Sequence, residues 1–165
     1  WRCSRGSTRT GCAPQRSEPD IMSGKTERPF LEGWFAKDES GAHLVGSRCT
    51  SCGTFYFPRE GRFCRNPACQ GEQFEVVPLS QRGRLWSFTN ACYQPPEPFI
   101  APDPFVPFPI AAVELEREKM IVLGPVVEGV DVGALRVGMA MELVIATLSE
   151  TPTERLLAWK WKPSA

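Results

Sequence analysis

Histidine is all but missing from this chain: His43 stands alone among 165 residues. A single imidazole excludes histidine-rich metal sites and leaves any cysteine–histidine dyad dependent on His43 itself. Long apolar runs are missing too. The segments 120–123 and 143–146 fall far short of the roughly 20 residues that a membrane-spanning helix needs, so no membrane span is expected. Charge of one sign is also absent, because 19 basic residues balance 19 acidic ones, and no bulk field draws the chain to nucleic acid or anionic lipid. The glycines at 124, 129, 133 and 138 are isolated, so they form neither a phosphate loop nor a dinucleotide fingerprint. No carboxylate cluster with a catalytic spacing appears. After residue 80 no helical periodicity is seen, save one turn around 132–135.

Cysteine, by contrast, is plentiful. Four of the seven cysteines fall within residues 49–69. They form two knuckles, Cys49-x2-Cys52 and Cys64-x4-Cys69, separated by eleven residues. Four thiolates at about 2.3 Å in a tetrahedron are what Zn²⁺ takes in a closed structural site. Gly53 and the Asn66-Pro67 pair supply the turns that such knuckles require. With all four positions filled by protein, no place is left for an activated water, so the metal is expected to hold structure and not to catalyse. Iron is the competing ion, since the run from Cys49 to Tyr56 resembles a rubredoxin knuckle. The second pair, four apart, departs from that pattern, and the chain lacks the acidity of a low-potential carrier. An odd cysteine count with metal-type spacing and no apolar signal segment points to a reducing compartment, the cytoplasm. Residues 1–21 carry four arginines, two cysteines and no methionine. They read as a leader, a cloning remnant or a mis-set start, with Met22 as the natural beginning.

The rest of the chain reads as mainly β. Phe30, Leu31, Trp34 and Phe35 lie at offsets that place them on one stripe, with Pro29 suited to a first helical turn, so a short N-terminal helix is expected within 22–46. A zinc ribbon is expected over 47–78 and a small five-stranded barrel over 79–163, which the resemblance given below makes a rubredoxin-like ribbon and an OB-fold. The five strands are read at 83–93, 110–116, 120–128, 139–146 and 155–161, each rich in β-branched or aromatic residues and bounded by Gly, Pro or charged turns. Residues 116–119 read as a hairpin turn. The loop 94–109 carries seven prolines together with Phe99, Phe105 and Phe108. It is expected to be a stiff, aromatic-bearing lip, either packed over one barrel end or touching a partner or ligand. Cys92, alone in a strand, reads as a small buried hydrophobe and not as a nucleophile.

Taken in order, the "PF-x-EGW" start at Pro29, the four-cysteine ribbon, "GRLWSFT" from Gly83, the proline-rich loop, "PIAAVELE" from Pro109 and "LRVGMAMEL" from Leu135 resemble the acyl-CoA-associated zinc-ribbon/OB-fold family. The resemblance runs over roughly 28–163. It implies a non-catalytic subunit of a thiolase-superfamily enzyme, of the kind that serves benzoylsuccinyl-CoA thiolases or lipid-transfer-protein-like steroid side-chain aldolases. The partner would bring the catalytic cysteine and histidine, with two copies of each chain. Cys49, Cys52, Cys64 and Cys69 carry over as zinc ligands, and no catalytic residue carries over. The ribbon and barrel would dock on the partner, shape the acyl-CoA entrance and touch coenzyme A bound there. Trp159-Lys160-Trp161 departs from the smaller aromatics expected in the last strand.

Arg59, Arg62 and Arg65 in the ribbon, with Arg82 and Arg84 at the barrel entry, have three uses open to them. They suit a solvated face, a clamp for the phosphates of coenzyme A, or a groove for single-stranded nucleic acid beside stacking aromatics. The neutral net charge weighs against the last, because phosphate contacts dominate that affinity. The remaining alternative is an iron-bearing electron carrier.

Overall fold

The computed structural model describes residues 25–39, 41–96 and 103–164, so residues 1–21 and Phe99 lie outside what is described below. Ten strands run β1 Thr26–Pro29, β2 Phe35–Asp38, β3 Gly41–Cys49, β4 Phe55–Tyr56, β5 Phe74–Pro78, β6 Arg82–Ala91, β7 Phe108–Leu115, β8 Ile121–Pro125, β9 Ala140–Glu150 and β10 Glu154–Pro163. A single 3₁₀ turn, Val132–Ala134, sits between β8 and β9, capped by the Asp131 carboxylate on the Gly133 N–H. It falls where the sequence allows one turn. Among the described residues no helix is long and apolar enough to cross a membrane.

The expected N-terminal helix is not there. Residues 26–38 form β1, a bend and β2 instead. Gly33 takes φ +73°, which ends any helix at that point. Pro29 closes β1 at a sheet edge, where a missing N–H costs little. The apolar stripe has a different use. Trp34 stacks on Trp159 with ring centroids 5.9 Å apart and meets Phe57 edge-on at 5.4 Å, while Phe35 lies 6.3 Å from Trp159. Packing against the barrel therefore overrides the local helical spacing.

Five strands make the barrel, as the sequence indicates, and β1 adds a sixth by pairing in parallel with β10, giving the order β1-β10-β9-β6-β7-β8. Closure joins β8 to β10 through a parallel bridge between Val126 and Trp161, with the Val127 N–H donating to the Trp161 carbonyl at 2.9 Å. Register shifts between Leu85 and Ser87 and between Leu156 and Leu157 supply the bends that a small closed sheet requires. Gly83 permits the β6–β7 approach: a Cβ there would lie 2.3 Å from the Glu114 carbonyl oxygen. Leu85, Val113, Leu115, Val122, Leu135, Met141, Leu143 and Trp161 fill the interior. Strand alternation sends Trp161 inward and so aims Lys160 at the opposite face.

The ribbon forms around β3, which pairs with β2, β4 and β5. Leu44 on β3 and Leu79 just after β5 join the barrel core, so both modules share one apolar interior. A polar seam reinforces the join. The Glu118 side chain, fully buried in the 116–119 turn, accepts from the Ser80 N–H at 3.1 Å and from Arg117, whose guanidinium also donates to the Pro78 carbonyl. Burial alone would raise the Glu118 pKa, but the donors from Ser80 and Arg117 outweigh it and hold the carboxyl below its usual range. Its stabilisation is therefore complete above the ordinary carboxylate pKa of about 4.3 and fades as pH falls through the lower folded value. In urea unfolding, the gap between the wild type and Glu118→Gln is expected to be widest near neutral pH and to narrow under acid. A gap independent of pH would contradict this role.

Candidate metal centre

Each knuckle is preshaped by its backbone. Cys49 ends β3 and accepts the Gly53 N–H at its carbonyl (2.9 Å), while its own N–H donates to the Thr54 carbonyl (2.9 Å). Gly53 holds φ +75°, a conformation that glycine adopts without a Cβ penalty. In the second knuckle the Cys69 N–H donates to the Asn66 carbonyl at 2.9 Å, and the Asn66 side chain accepts the Ala68 N–H at 3.1 Å. These are the turns that Gly53 and Asn66-Pro67 promise in the sequence.

The four thiol sulfurs converge, all lying within 4.8 Å of one another. Cys49 Sγ and Cys69 Sγ are 3.9 Å apart, and Cys52 Sγ and Cys64 Sγ 3.5 Å. A regular tetrahedron with metal–sulfur bonds of about 2.3 Å has edges of about 3.8 Å, so these two separations bracket the value for a tetrathiolate ion. They are far from the roughly 2.05 Å of a disulfide. The donor set and spacing thus fit zinc, with all four positions supplied by protein.

The polar groups nearby are arranged for thiolate charge. Thr54 hydrogen bonds to Cys52, through its hydroxyl and its N–H, lower that thiol to about 6. Cys69 receives the Gly71 N–H at 3.3 Å, which favours its thiolate, yet burial and the neighbouring thiols outweigh that donor and push it up to about 12. One sulfur is thus ready to ionise while another resists, which is how crowded thiols behave until a cation balances them. The Tyr56 hydroxyl reaches Cys64 Sγ at 3.1 Å and accepts the Arg65 N–H at 3.0 Å. The Cys64 bond raises the Tyr56 pKa and keeps its proton in place as a donor to sulfur. Tyr56 and Thr54 support the site without being recognised as part of it in the sequence; the C-x2-C-G-x2-Tyr run is the signal that contains Tyr56.

The other residues singled out from sequence are spread out. Arg59 is exposed on the wall of a groove of about 740 Å³, beside Trp34, Phe57 and Phe74. Arg62 is exposed. Arg65 pairs with Glu60 at 2.6 Å, and Arg84 donates to the Gly138 carbonyl at 3.1 Å. Phe105 and Phe108 are half-buried and meet edge-on, centroids 6.3 Å apart, and Phe108 opens β7. Cys92 corrects the reading made of it: it lies just past the end of β6 and is exposed, because the strand stops before its side chain can turn inward. His43 is 7% exposed, with Nδ1 3.7 Å from an Asp38 carboxylate oxygen.

Comparisons with known proteins agree with both modules. Residues 43–75 match the family described as "ChsH2, rubredoxin-like zinc ribbon domain", and residues 76–146 match "ChsH2, C-terminal OB-fold domain". A DUF35 domain-containing scaffold protein of Methanocaldococcus jannaschii is 30% identical over 120 residues, 72% of this chain and 79% of that protein. Benzoylsuccinyl-CoA thiolase subunit BbsA of Thauera aromatica is 47% identical over 53 residues, 32% of this chain and 35% of BbsA. The BbsA of Geobacter metallireducens is 44% identical over 76 residues, 46% of this chain and 47% of that subunit. The matches thus span between about a third and a half of the two thiolase subunits. Among solved structures, a chain of the Ltp2-ChsH2(DUF35) aldolase superposes with a TM-score of 0.55 at 25% identity, covering 73% of this chain and 84% of that one.

Proposed function

This chain belongs to the ChsH2/DUF35 family of zinc-ribbon and OB-fold proteins, and from that membership we propose that it is a non-catalytic, zinc-binding subunit of a thiolase-superfamily acyl-CoA enzyme. The observation that carries the proposal is similarity to two chains named as benzoylsuccinyl-CoA thiolase subunits and to a chain of the Ltp2-ChsH2(DUF35) aldolase, with a further relative named as a scaffold protein. The chemistry of the site agrees. Cys49, Cys52, Cys64 and Cys69 hold Zn²⁺ as a closed tetrathiolate, which supplies folding energy and no Lewis-acid site for substrate. The single histidine, His43 on β3, is buried, a poor position for a general base. The partner therefore supplies the cysteine and histidine of thiolytic or retro-aldol carbon–carbon cleavage.

Docking is the task left to this chain. Phe63, Trp86 and Leu123 are each about 60% exposed on the ribbon and the barrel, and apolar side chains so placed gain from a protein cover. We assign Arg59 and Arg62 to the acyl-CoA entrance or to acidic groups of the partner, with Arg65 held back by Glu60. The lip residues Phe99, Phe105 and Phe108 are assigned to the same entrance, and the assembly to two copies of each chain. Co-expression with a thiolase-superfamily catalytic subunit from the same organism is expected to yield one co-migrating complex in size-exclusion chromatography. A monodisperse monomer that ignores that subunit would sink the proposal.

A further inference from the structure

At the barrel end, beside residues 106–109, lies a second groove of about 340 Å³, open to one side. Its walls are apolar, drawn from Val106 and Phe108 on the lip, Val126, Val127 and Val130 after β8, and Leu148 on β9. One cation lines it. The Lys160 side chain is only 9% exposed, and among the described residues its ammonium meets one acid, Glu128, at 3.2 Å. The two partners are mismatched, because the Glu128 side chain is 91% exposed. An exposed carboxylate loses little on leaving for water, whereas a buried ammonium loses much when left without an anion. Lysine stems often thread through apolar surface to reach water, and here the side chain as a whole keeps only 9% of its surface exposed.

We propose that this groove binds a small organic carboxylate with an apolar body, its carboxylate taking the place of Glu128 on Lys160. The volume of about 340 Å³ has room for an acid of eight or nine non-hydrogen atoms, such as hexanoate or benzoate. Neutral apolar molecules fit the walls but leave the ammonium with the acid it already has. The proposal stands on the groove alone and does not depend on the catalytic partner.

The test is titration of the whole zinc-loaded chain with hexanoate and benzoate, followed through backbone amide NMR shifts, with 1-hexanol and benzyl alcohol as uncharged controls. The acids are expected to give saturable shifts centred on 126–130 and 160, binding about tenfold more tightly than the alcohols, as a hydrogen bond to a charged group allows. Lys160→Met should reduce the acids to the level of the alcohols. Glu128→Gln, its fold checked by the dispersion of the same amide spectrum, should tighten the acids by removing their competitor. Acids and alcohols binding alike, no saturation, shifts centred elsewhere, or an unchanged affinity in Glu128→Gln would each overturn the proposal.

Discussion

Stripping the metal is expected to unfold the ribbon and, with it, to release the partner. A strong chelator, or Cys52→Ser or Cys69→Ser, removes what links two turns that otherwise depend on short backbone bonds and a two-residue strand, β4. In small zinc modules the binding free energy is largely folding free energy, on the order of 10 kcal/mol at neutral pH. No other interaction in residues 47–78 approaches that size. The loss should spread, since Leu44 and Leu79 lie in the shared core and Phe57 packs 5.8 Å from Trp159. Limited proteolysis would show cleavage within 47–78 first, and size-exclusion chromatography would show the complex falling apart. A cysteine variant that stays folded and bound, yet inactive, would instead place the metal in the chemistry.

The barrel has its own keystone. Trp161 is fully buried and belongs to the strand whose backbone closes β8 onto β10. Trp161→Ala is expected to cost about 4 kcal/mol, as truncation of a buried large aromatic leaves a cavity that the sheet cannot collapse to fill. That is a large share of the 5–15 kcal/mol by which domains of this size are held. Trp161→Phe should cost much less. The indole Nε1 is buried with no hydrogen-bond partner, so phenylalanine removes an unsatisfied donor while keeping most of the apolar volume. Urea midpoints for the two variants measure the contrast. If alanine and phenylalanine cost the same, Trp161 is not acting through its volume.

The metal centre and the barrel were legible in the sequence because their signals are local. Cysteine spacing, turn residues and short β-branched runs each act within a few positions, and tertiary structure leaves them in place. The N-terminal segment was misread for the opposite reason. The spacing of Phe30, Leu31, Trp34 and Phe35 fits a helix, but the contact that decides their conformation is Trp159, more than a hundred residues away in the chain. Trp159 also explains why the last strand carries tryptophans. One stacks on Trp34 outside the barrel and donates to the Leu123 carbonyl at 3.1 Å, while the other fills the interior. Lys160 between them gives no sequence signal of a groove, since burial of a lysine side chain depends on what residues 106–109 and 125–130 place beside it. Cys92 was misread because the strand ends at Ala91, two residues before the expected boundary, which turns a buried position into an exposed one.

The most direct test of the account is to purify the tagged protein from its native cells and analyse one eluate for both co-purifying chains and metal. A thiolase-superfamily subunit in stoichiometric amount, with one zinc for each copy of this chain, is the result predicted. Recovery of the chain with nucleic acid, or with iron and no partner, would contradict it and move the function to the barrel face or to the ribbon itself.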